Sequence, residues 1–79
     1  MKVKVNIYGN LRKTSRFNNK KDNLVKISST LTIKEFLEQE NIPVNKAFVL
    51  INDKNKNKEF DYKIKDNDEI TIYPINIGG

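Results

Sequence analysis

The sequence contains no cysteine, no histidine and no tryptophan. Without cysteine the chain cannot form disulfides or use a thiolate, and without cysteine and histidine it lacks the usual ligands of a zinc site. A Ser-His-Asp or Cys-His catalytic apparatus is excluded for the same reason. Most enzyme classes are therefore excluded, and any reactive group must be something other than these side chains.

Long apolar runs are also absent. No stretch approaches the roughly 20 apolar residues that a membrane-spanning helix requires, so we expect no membrane partner. The opening residues, KVKVNIY, alternate between polar and apolar side chains, whereas a signal peptide has an unbroken apolar stretch behind its basic residues. We therefore expect a cytoplasmic protein, and 79 residues leave room for one domain.

The positive charge is spread over the chain. The formal net charge is +5 and the isoelectric point is near 9.5, which on charge alone would admit a nucleic-acid partner. The densest charged run, NDKNKNKE at residues 52–59, contains no aromatic side chain that could stack on bases. We therefore interpret this run as a solvated hairpin loop and expect no nucleic-acid partner.

The first third of the chain predicts two strands. Val3, Val5 and Ile7 alternate with polar residues, the pattern of a half-buried strand over residues 2–8. Residues 9–23 are polar and rich in turn formers, and a second strand follows at about 24–29.

A helix is predicted over residues 31–40. Thr32 followed three residues later by Glu35 forms a capping box, and Leu31 and Phe36 occupy the positions of a hydrophobic staple. Pro43 cannot continue the helix, which should end by about residue 41.

The second half of the chain predicts further strands. The nearly continuous apolar run KAFVLIND ends in an Asn52-Asp53 turn, which favours a strand buried on both faces in the middle of a sheet. Residues 59–64 have no clear pattern. Asn67 can take the left-handed conformation of a tight turn before the last strand, in which Ile70 and Ile72 alternate with Thr71 and Tyr73.

Together these elements predict an α+β fold. The order is ββαββ with a possible extra short strand, and one main helix lies across one face of a mixed sheet of four or five strands. We expect one core between sheet and helix. Its members are Val3, Val5, Ile7, Val25, Ile27, Ile33, Phe36, Leu37, Val49, Ile51, Ile70 and Ile72.

The chain ends in YPINIGG, and two terminal glycines add little to a core because they have no side chain to pack. A frayed chain end is one interpretation. However, the segments VKVNIYGNLR, LTIKEFLEQ, AFVLIND and above all DNDEITIYPINIGG resemble the ubiquitin-like sulfur carriers of the β-grasp fold. These are the small subunit of molybdopterin synthase (MoaD-like) and the thiamine sulfur carrier (ThiS-like).

The resemblance implies a function for the terminus. In this family an ATP-dependent activating enzyme (MoeB/ThiF-like), which uses ATP with Mg, adenylates the C-terminal carboxylate. A sulfur donor then displaces AMP and leaves a thiocarboxylate, which supplies a sulfur-accepting synthase subunit or a thiazole synthase. The carrier is not itself an enzyme and binds neither cofactor nor metal. Gly79 would carry the reactive carboxylate.

The resemblance further divides the chain into a β-grasp domain at residues 1–74 and a flexible tail at 75–79 that ends in Gly-Gly. Tyr8 and Tyr73, on the more polar strand faces, fall where carriers present aromatic residues to the activating enzyme, although each ring could equally cover the sheet. The residues expected in the tail or in contact with partners are Gly78, Ile77, Ile75, Pro74, Tyr73, Tyr8 and Arg12.

The tail departs from the molybdopterin pattern, since Ile75 replaces a second proline and Ile77 directly precedes the glycines. The opening segment and the length nevertheless favour molybdopterin synthesis. Thiamine synthesis, cysteine synthesis, transfer-RNA thiolation, a ubiquitin-like protein modifier and a β-grasp binding module remain alternatives.

Overall fold

The computed structural model describes residues 1–9, 23–27, 31–56 and 59–75. Within these ranges the chain forms five strands, one α-helix and a short 3₁₀ turn, which confirms the predicted order ββαββ. The extra short strand lies at residues 54–55 and not in the segment 59–64. The elements are β1 (Lys2–Ile7), β2 (Asn23–Lys26), α1 (Ile33–Gln39), the 3₁₀ turn Val44–Lys46, β3 (Ala47–Ile51), β4 (Lys54–Asn55) and β5 (Glu69–Pro74).

The five strands form one mixed sheet in the order β2-β1-β5-β3-β4. β1 and β5 are parallel, with Val5 opposite Ile70 and Ile7 opposite Ile72, and the other neighbouring pairs are antiparallel. Parallel strands cannot be joined by a tight turn, and here β2, α1, β3 and β4 all lie between them in the chain. The first and last of these strands are neighbours near the middle of the sheet. Because they are parallel, their C-terminal ends lie at the same end of the sheet.

One apolar cluster fills the space between the sheet and α1. All twelve side chains predicted for the core are buried in it. Three more belong to it that the sequence analysis did not select: Ile42, Ala47 and Ile64. Ile42 lies in the connection after the helix and Ile64 in the segment without a clear pattern, so neither could be assigned from strand or helix periodicity.

The start of α1 is held by the predicted capping box. The Glu35 N–H donates to Thr32 Oγ1 at 3.1 Å, and Glu35 Oε1 accepts from the Thr32 N–H at 2.9 Å. The pKa of Glu35 is lowered mainly by the hydrogen bond from the Thr32 backbone N–H and, to a smaller extent, by the hydrogen bond from the Thr32 hydroxyl. The next two amides, of Ile33 and Lys34, donate to backbone carbonyls in the segment 59–64. This segment therefore covers the helix start and is not a strand of the sheet.

The end of α1 is a Schellman motif. Asn41 has a left-handed φ of 60°, its N–H donates to the Glu38 carbonyl at 3.2 Å, and the Ile42 N–H donates to the Leu37 carbonyl at 2.9 Å. These bonds satisfy carbonyls that the helix leaves open. The helix ends before Pro43 as predicted.

The prediction that β3 is buried on both faces is wrong. Ala47, Val49 and Ile51 are buried, but Phe48 and Leu50 on the other face are only half-buried. The reason lies in the strand order, because β5 occupies the middle of the sheet and β3 is second from the edge. α1 covers only the face that carries the buried set.

The turn after β3 is as predicted, but the charged run that follows is not all loop. Asn52 and Asp53 have φ values of 52° and 67°, the two left-handed residues of a tight hairpin. The chain then pairs back on β3 as β4, with Lys54 opposite Ile51, so residues 54–55 are a strand. Lys56 Nζ lies 5.0 Å from the ring centre of Tyr62.

A buried carboxylate organises the start of β5. Asp68 is 5 % exposed, and its Oδ2 accepts from the Tyr62 hydroxyl at 3.0 Å and from the Lys65 N–H at 2.8 Å. Its Oδ1 accepts from Asn52 Nδ2 at 2.9 Å. Burial and the hydrogen bond to Asp68 raise the pKa of Tyr62. Asn67 just before it has a φ of 70°, as predicted for this turn.

At the opposite end of the central strands, a glycine after β1 lies against the last residue of β5. Gly9, directly beyond β1 and Tyr8, has a φ of 68°, and a Cβ built on it would lie 2.7 Å from Pro74 Cγ. Both the backbone conformation and the close contact therefore exclude a side chain. The end of β1 and the end of β5 are thus packed directly against each other.

We predict that Thr32→Ala lowers the free energy of unfolding by about 1 kcal/mol, because the helix loses its N-cap hydrogen bond. The difference from wild type should narrow as the pH falls. The Thr32 hydroxyl donates to Glu35 Oε1 at 3.0 Å, and this bond is lost in the variant, whereas the N–H of residue 32 still donates to the carboxylate. Because the hydroxyl bond helps to lower the pKa of Glu35 in the folded chain, its stabilisation is present above about pH 4.3, the usual pKa, and is lost as the pH falls through the folded value. Urea unfolding of both proteins between neutral and acidic pH measures this, and a constant difference would contradict it.

We predict that Gly9→Ala destabilises the domain by about 1–3 kcal/mol, because it adds left-handed backbone strain to a clash with Pro74. A double-mutant cycle separates the two causes. In a Pro74→Ala background the clashing Cγ is gone, so the penalty of Gly9→Ala should fall to that of backbone strain alone. Equal penalties in the two backgrounds would mean that the contact with Pro74 is not what requires glycine.

Candidate functional site

The end of the sheet where β1 and β5 finish brings two predicted contact residues together. The parallel register ends at the pair Ile7 and Ile72. Directly beyond it, the rings of Tyr8 and Tyr73 stack with centroids 4.8 Å apart and planes inclined by 6°. The Tyr8 N–H donates to the Ile72 carbonyl at 3.0 Å. Tyr73 is 39 % exposed. The two rings therefore form one unit on the sheet face opposite α1.

Phe48 extends this unit onto the next strand. It lies opposite Tyr73 in the antiparallel pair of β3 and β5, and it is half-buried. We call Tyr8, Tyr73 and Phe48 the aromatic row. Sequence analysis selected the two tyrosines but missed Phe48, because the apolar run around it was taken as buried on both faces. No local signal could have identified it, because Ala47, Phe48 and Val49 are all apolar and show no alternation of polarity.

The base of the predicted tail is held from two sides. Pro74 packs on Gly9 from β1, and the Ile75 N–H donates to the Lys46 carbonyl at 3.0 Å, just before β3. The Ile75 side chain is 37 % exposed, so an apolar group stands at the surface where the chain leaves the sheet. Neither Gly9 nor Lys46 was selected from the sequence, because their roles depend on which strands are neighbours.

Four predicted site residues, namely Arg12, Ile77, Gly78 and Gly79, lie outside the described residues. Their roles stay predictions. The division of the chain into 1–74 and 75–79 also stays a prediction, and the described part adds that the amide of Ile75 is still bonded to the domain.

The polar groups of the sheet face beside the aromatic row are satisfied internally. Asn6 Nδ2 donates to Thr71 Oγ1 at 3.1 Å and to Glu69 Oε2 at 2.8 Å. Asn6 and Thr71 are each 6 % exposed. These contacts fix the relative position of β1 and β5, and they leave the aromatic row and Ile75 as the apolar groups offered to a partner at this end.

The described ranges contain no group of three or more acidic side chains placed to hold a metal ion. No helix within them is long and apolar enough to cross a membrane. The arrangement described above is thus a shaped surface at the root of the C-terminal segment, without reactive side chains of its own.

Comparisons with known proteins agree with this architecture. The crystal structure of SAMP1 from Haloferax volcanii matches with a TM-score of 0.66 and 12 % sequence identity, and the match covers 100 % of this chain and 100 % of that one. At this identity the likeness shows the fold, and the predicted β-grasp is confirmed. No curated protein matches the sequence. The family model described as the ThiS family matches residues 5–79, nearly the whole chain.

Sequence and fold thus agree: the fold is that of the β-grasp proteins, and the chain belongs to the ThiS family of small ubiquitin-like sulfur carriers.

Proposed function

We propose that this protein carries sulfur as a thiocarboxylate on Gly79 and donates it in molybdopterin biosynthesis. The observation that carries the proposal is the family match, which runs through Gly78 and Gly79. It is supported by the sheet geometry, which anchors Pro74 and Ile75 beside the aromatic row. The chain acts as a protein co-substrate, and the cytoplasm is the expected site of action.

The proposed chemistry takes place on the backbone. A carboxylate oxygen of Gly79 attacks the α-phosphorus of ATP held with Mg by an activating enzyme, and pyrophosphate leaves. A sulfur nucleophile then attacks the acyl carbon, AMP leaves, and the acyl group ends as a thiocarboxylate. The two glycines suit this because without a Cβ their backbone can enter a narrow channel and approach the nucleotide closely.

We assign the aromatic row and Ile75 to recognition of the activating enzyme. Aromatic side chains commonly anchor protein interfaces, and stacking of Tyr8 on Tyr73 holds both rings in place before binding. A rigid anchor loses little conformational freedom on association. Arg12 is assigned a supporting electrostatic contact on the strength of the family pattern alone. A sulfur-accepting synthase subunit would use the same end of the molecule, since it must reach the same terminus.

Thiamine biosynthesis, with a thiazole synthase as acceptor, is the second candidate. Two observations favour it: the family is named for the thiamine carrier, and Ile75 stands where molybdopterin-type carriers have a second proline. A protein modifier would share the activation step and differ in product. Mass spectrometry of the protein isolated with its cellular partners separates a sulfur carrier from a protein modifier. A thiocarboxylate exchanges one oxygen for sulfur, whereas conjugation leaves an isopeptide bond.

We predict that adding one alanine after Gly79 abolishes adenylation, because the acyl carbon at the original depth becomes an ordinary amide. ATP–pyrophosphate exchange with the activating enzyme measures this step. The unfolding free energy should change by no more than about 0.5 kcal/mol, the range of surface changes. Equal exchange rates for wild type and the extended chain would mean that the carboxylate of Gly79 is not the substrate.

We predict that Tyr73→Ala weakens binding to the activating enzyme by more than about 1 kcal/mol, because it removes an exposed anchor and the ring that supports Tyr8. Tyr73→Phe is the matched control, since it keeps the stacked ring and loses only the hydroxyl, and it should bind nearly as well as wild type. Titration calorimetry measures the affinities, and urea unfolding confirms that each variant is folded. Unchanged affinity of Tyr73→Ala would mean that the aromatic row covers the sheet and does not bind the activating enzyme.

A further inference from the structure

The outer edge of β2 has backbone groups without a partner among the residues that the structure describes. Within those ranges β2 is the end strand of the sheet on this side. Met1 and Ile27 exchange two hydrogen bonds, each of 2.8 Å. In an antiparallel pair such bonded positions alternate with non-bonded ones, so Val25 also bonds β1, whereas the N–H and C=O groups of Leu24 and Lys26 point away from it. This edge can accept a further strand.

The side chains on the outer face of this edge combine apolar surface with positive charge. Leu24 is 74 % exposed, more than any other large apolar side chain in the described ranges. Lys4 lies opposite Leu24, and Lys2 lies opposite Lys26. Like charges directly opposite each other destabilise a sheet. Asp66 Oδ1 accepts from the Lys2 N–H at 2.7 Å, and this single carboxylate beside two lysines leaves the pair with a net positive charge. A partner that carries negative charge would relieve that repulsion.

The other face of β2 borders a cleft of about 800 Å³ with a mixed lining. Its apolar side chains include Val25, Ile27 and Phe36, and its polar ones include Gln39 and Asp66. Side chains of a strand alternate between the two faces of a sheet. A strand added beside β2 would therefore point every second side chain over this cleft and the remaining ones toward Leu24 and Lys26.

We propose that the edge of β2 binds an extended segment of a partner protein as a sixth strand, and that this segment alternates apolar and acidic residues. Its apolar side chains would cover the cleft, and its carboxylates would face Lys26 and Lys2. This surface is separate from the aromatic row and does not depend on the chemistry assigned to Gly79. Strand addition of this kind obtains affinity from backbone hydrogen bonds and specificity from alternate side chains.

Charge favours this occupant over two others. A second copy of the chain would bring the same lysines against this edge, and lysines on an edge strand oppose such self-pairing. A nucleic acid would meet Leu24 and unpaired amides, but Leu24, Lys2, Lys4 and Lys26 include no aromatic ring for base stacking. An acidic peptide uses the lysines, the exposed leucine and the backbone groups together.

The test is a titration of the full 79-residue chain, labelled with ¹⁵N and without ATP or activating enzyme, with a peptide of alternating isoleucine and glutamate. We expect amide shifts centred on residues 23–27 and binding that weakens as salt is added. Added protection from hydrogen exchange should appear at the Leu24 and Lys26 amides, because the Val25 amide is already bonded to β1. A peptide with lysine in place of glutamate, up to about 1 mM, should cause no shifts.

Two variants and one matched control assign the effect. Lys26→Glu should weaken binding of the glutamate peptide about fivefold. Leu24→Pro should abolish the added protection from hydrogen exchange, because it removes one outward N–H on an edge where proline is tolerated. Lys54→Glu makes the same charge change on β4 at the opposite edge and should bind like wild type.

Equal affinity for the two peptides, or shifts centred on the aromatic row, would overturn the proposal. So would a self-association in which Leu24 is buried, or preferential binding of an oligonucleotide at this edge. None of these outcomes bears on adenylation of Gly79, so this proposal and the proposed function can fail independently.

Discussion

The parallel pairing of β1 with β5 is the interaction on which the rest of the structure depends. It joins the first and last strands in the middle of the sheet, and hydrogen bonds at both ends define its register: the Lys4 N–H donates to the Asp68 carbonyl and the Tyr8 N–H to the Ile72 carbonyl. A shift of one residue would turn every side chain of β5 to the other face. Ile70 and Ile72 would then leave the core, which makes this register strongly specified.

The two ends of β5 have different tasks. At its start, the buried Asp68 receives hydrogen bonds from Tyr62, Lys65 and Asn52, which ties three separate turns to one carboxylate. At its end, Pro74 is seated on Gly9 and the Ile75 amide is bonded to Lys46. The strand is thus fixed at both ends, and the positions of Pro74 and Ile75 are fixed with it.

A chain without cysteine or histidine can still take part in covalent chemistry if the reactive group is on its backbone and a partner supplies the catalysis. What such a chain must provide is position and recognition. Here the side chains of one sheet face hold the helix and the core. The other face presents the aromatic row at the end where the terminus departs. The proposed strand addition would use the edge of β2, whose outward backbone groups have no partner within the described ranges.

The sequence by itself determined the local elements and the family. Several features are each encoded within a few residues and could therefore be predicted: the capping box at Thr32, the turns at Asn52-Asp53 and Asn67, and the alternation in β1 and β5. The core residues could be predicted from the same patterns. The Gly-Gly ending and its surroundings were sufficient to suggest the sulfur carriers. The strand order was decided only by the tertiary structure, because pairing of β1 with β5 joins residues more than 60 positions apart. For that reason the stack of Tyr8 on Tyr73, the seat of Pro74 on Gly9 and the half-exposed face of β3 could not be obtained from local pattern. Each is a contact between strands that only the folded sheet makes neighbours.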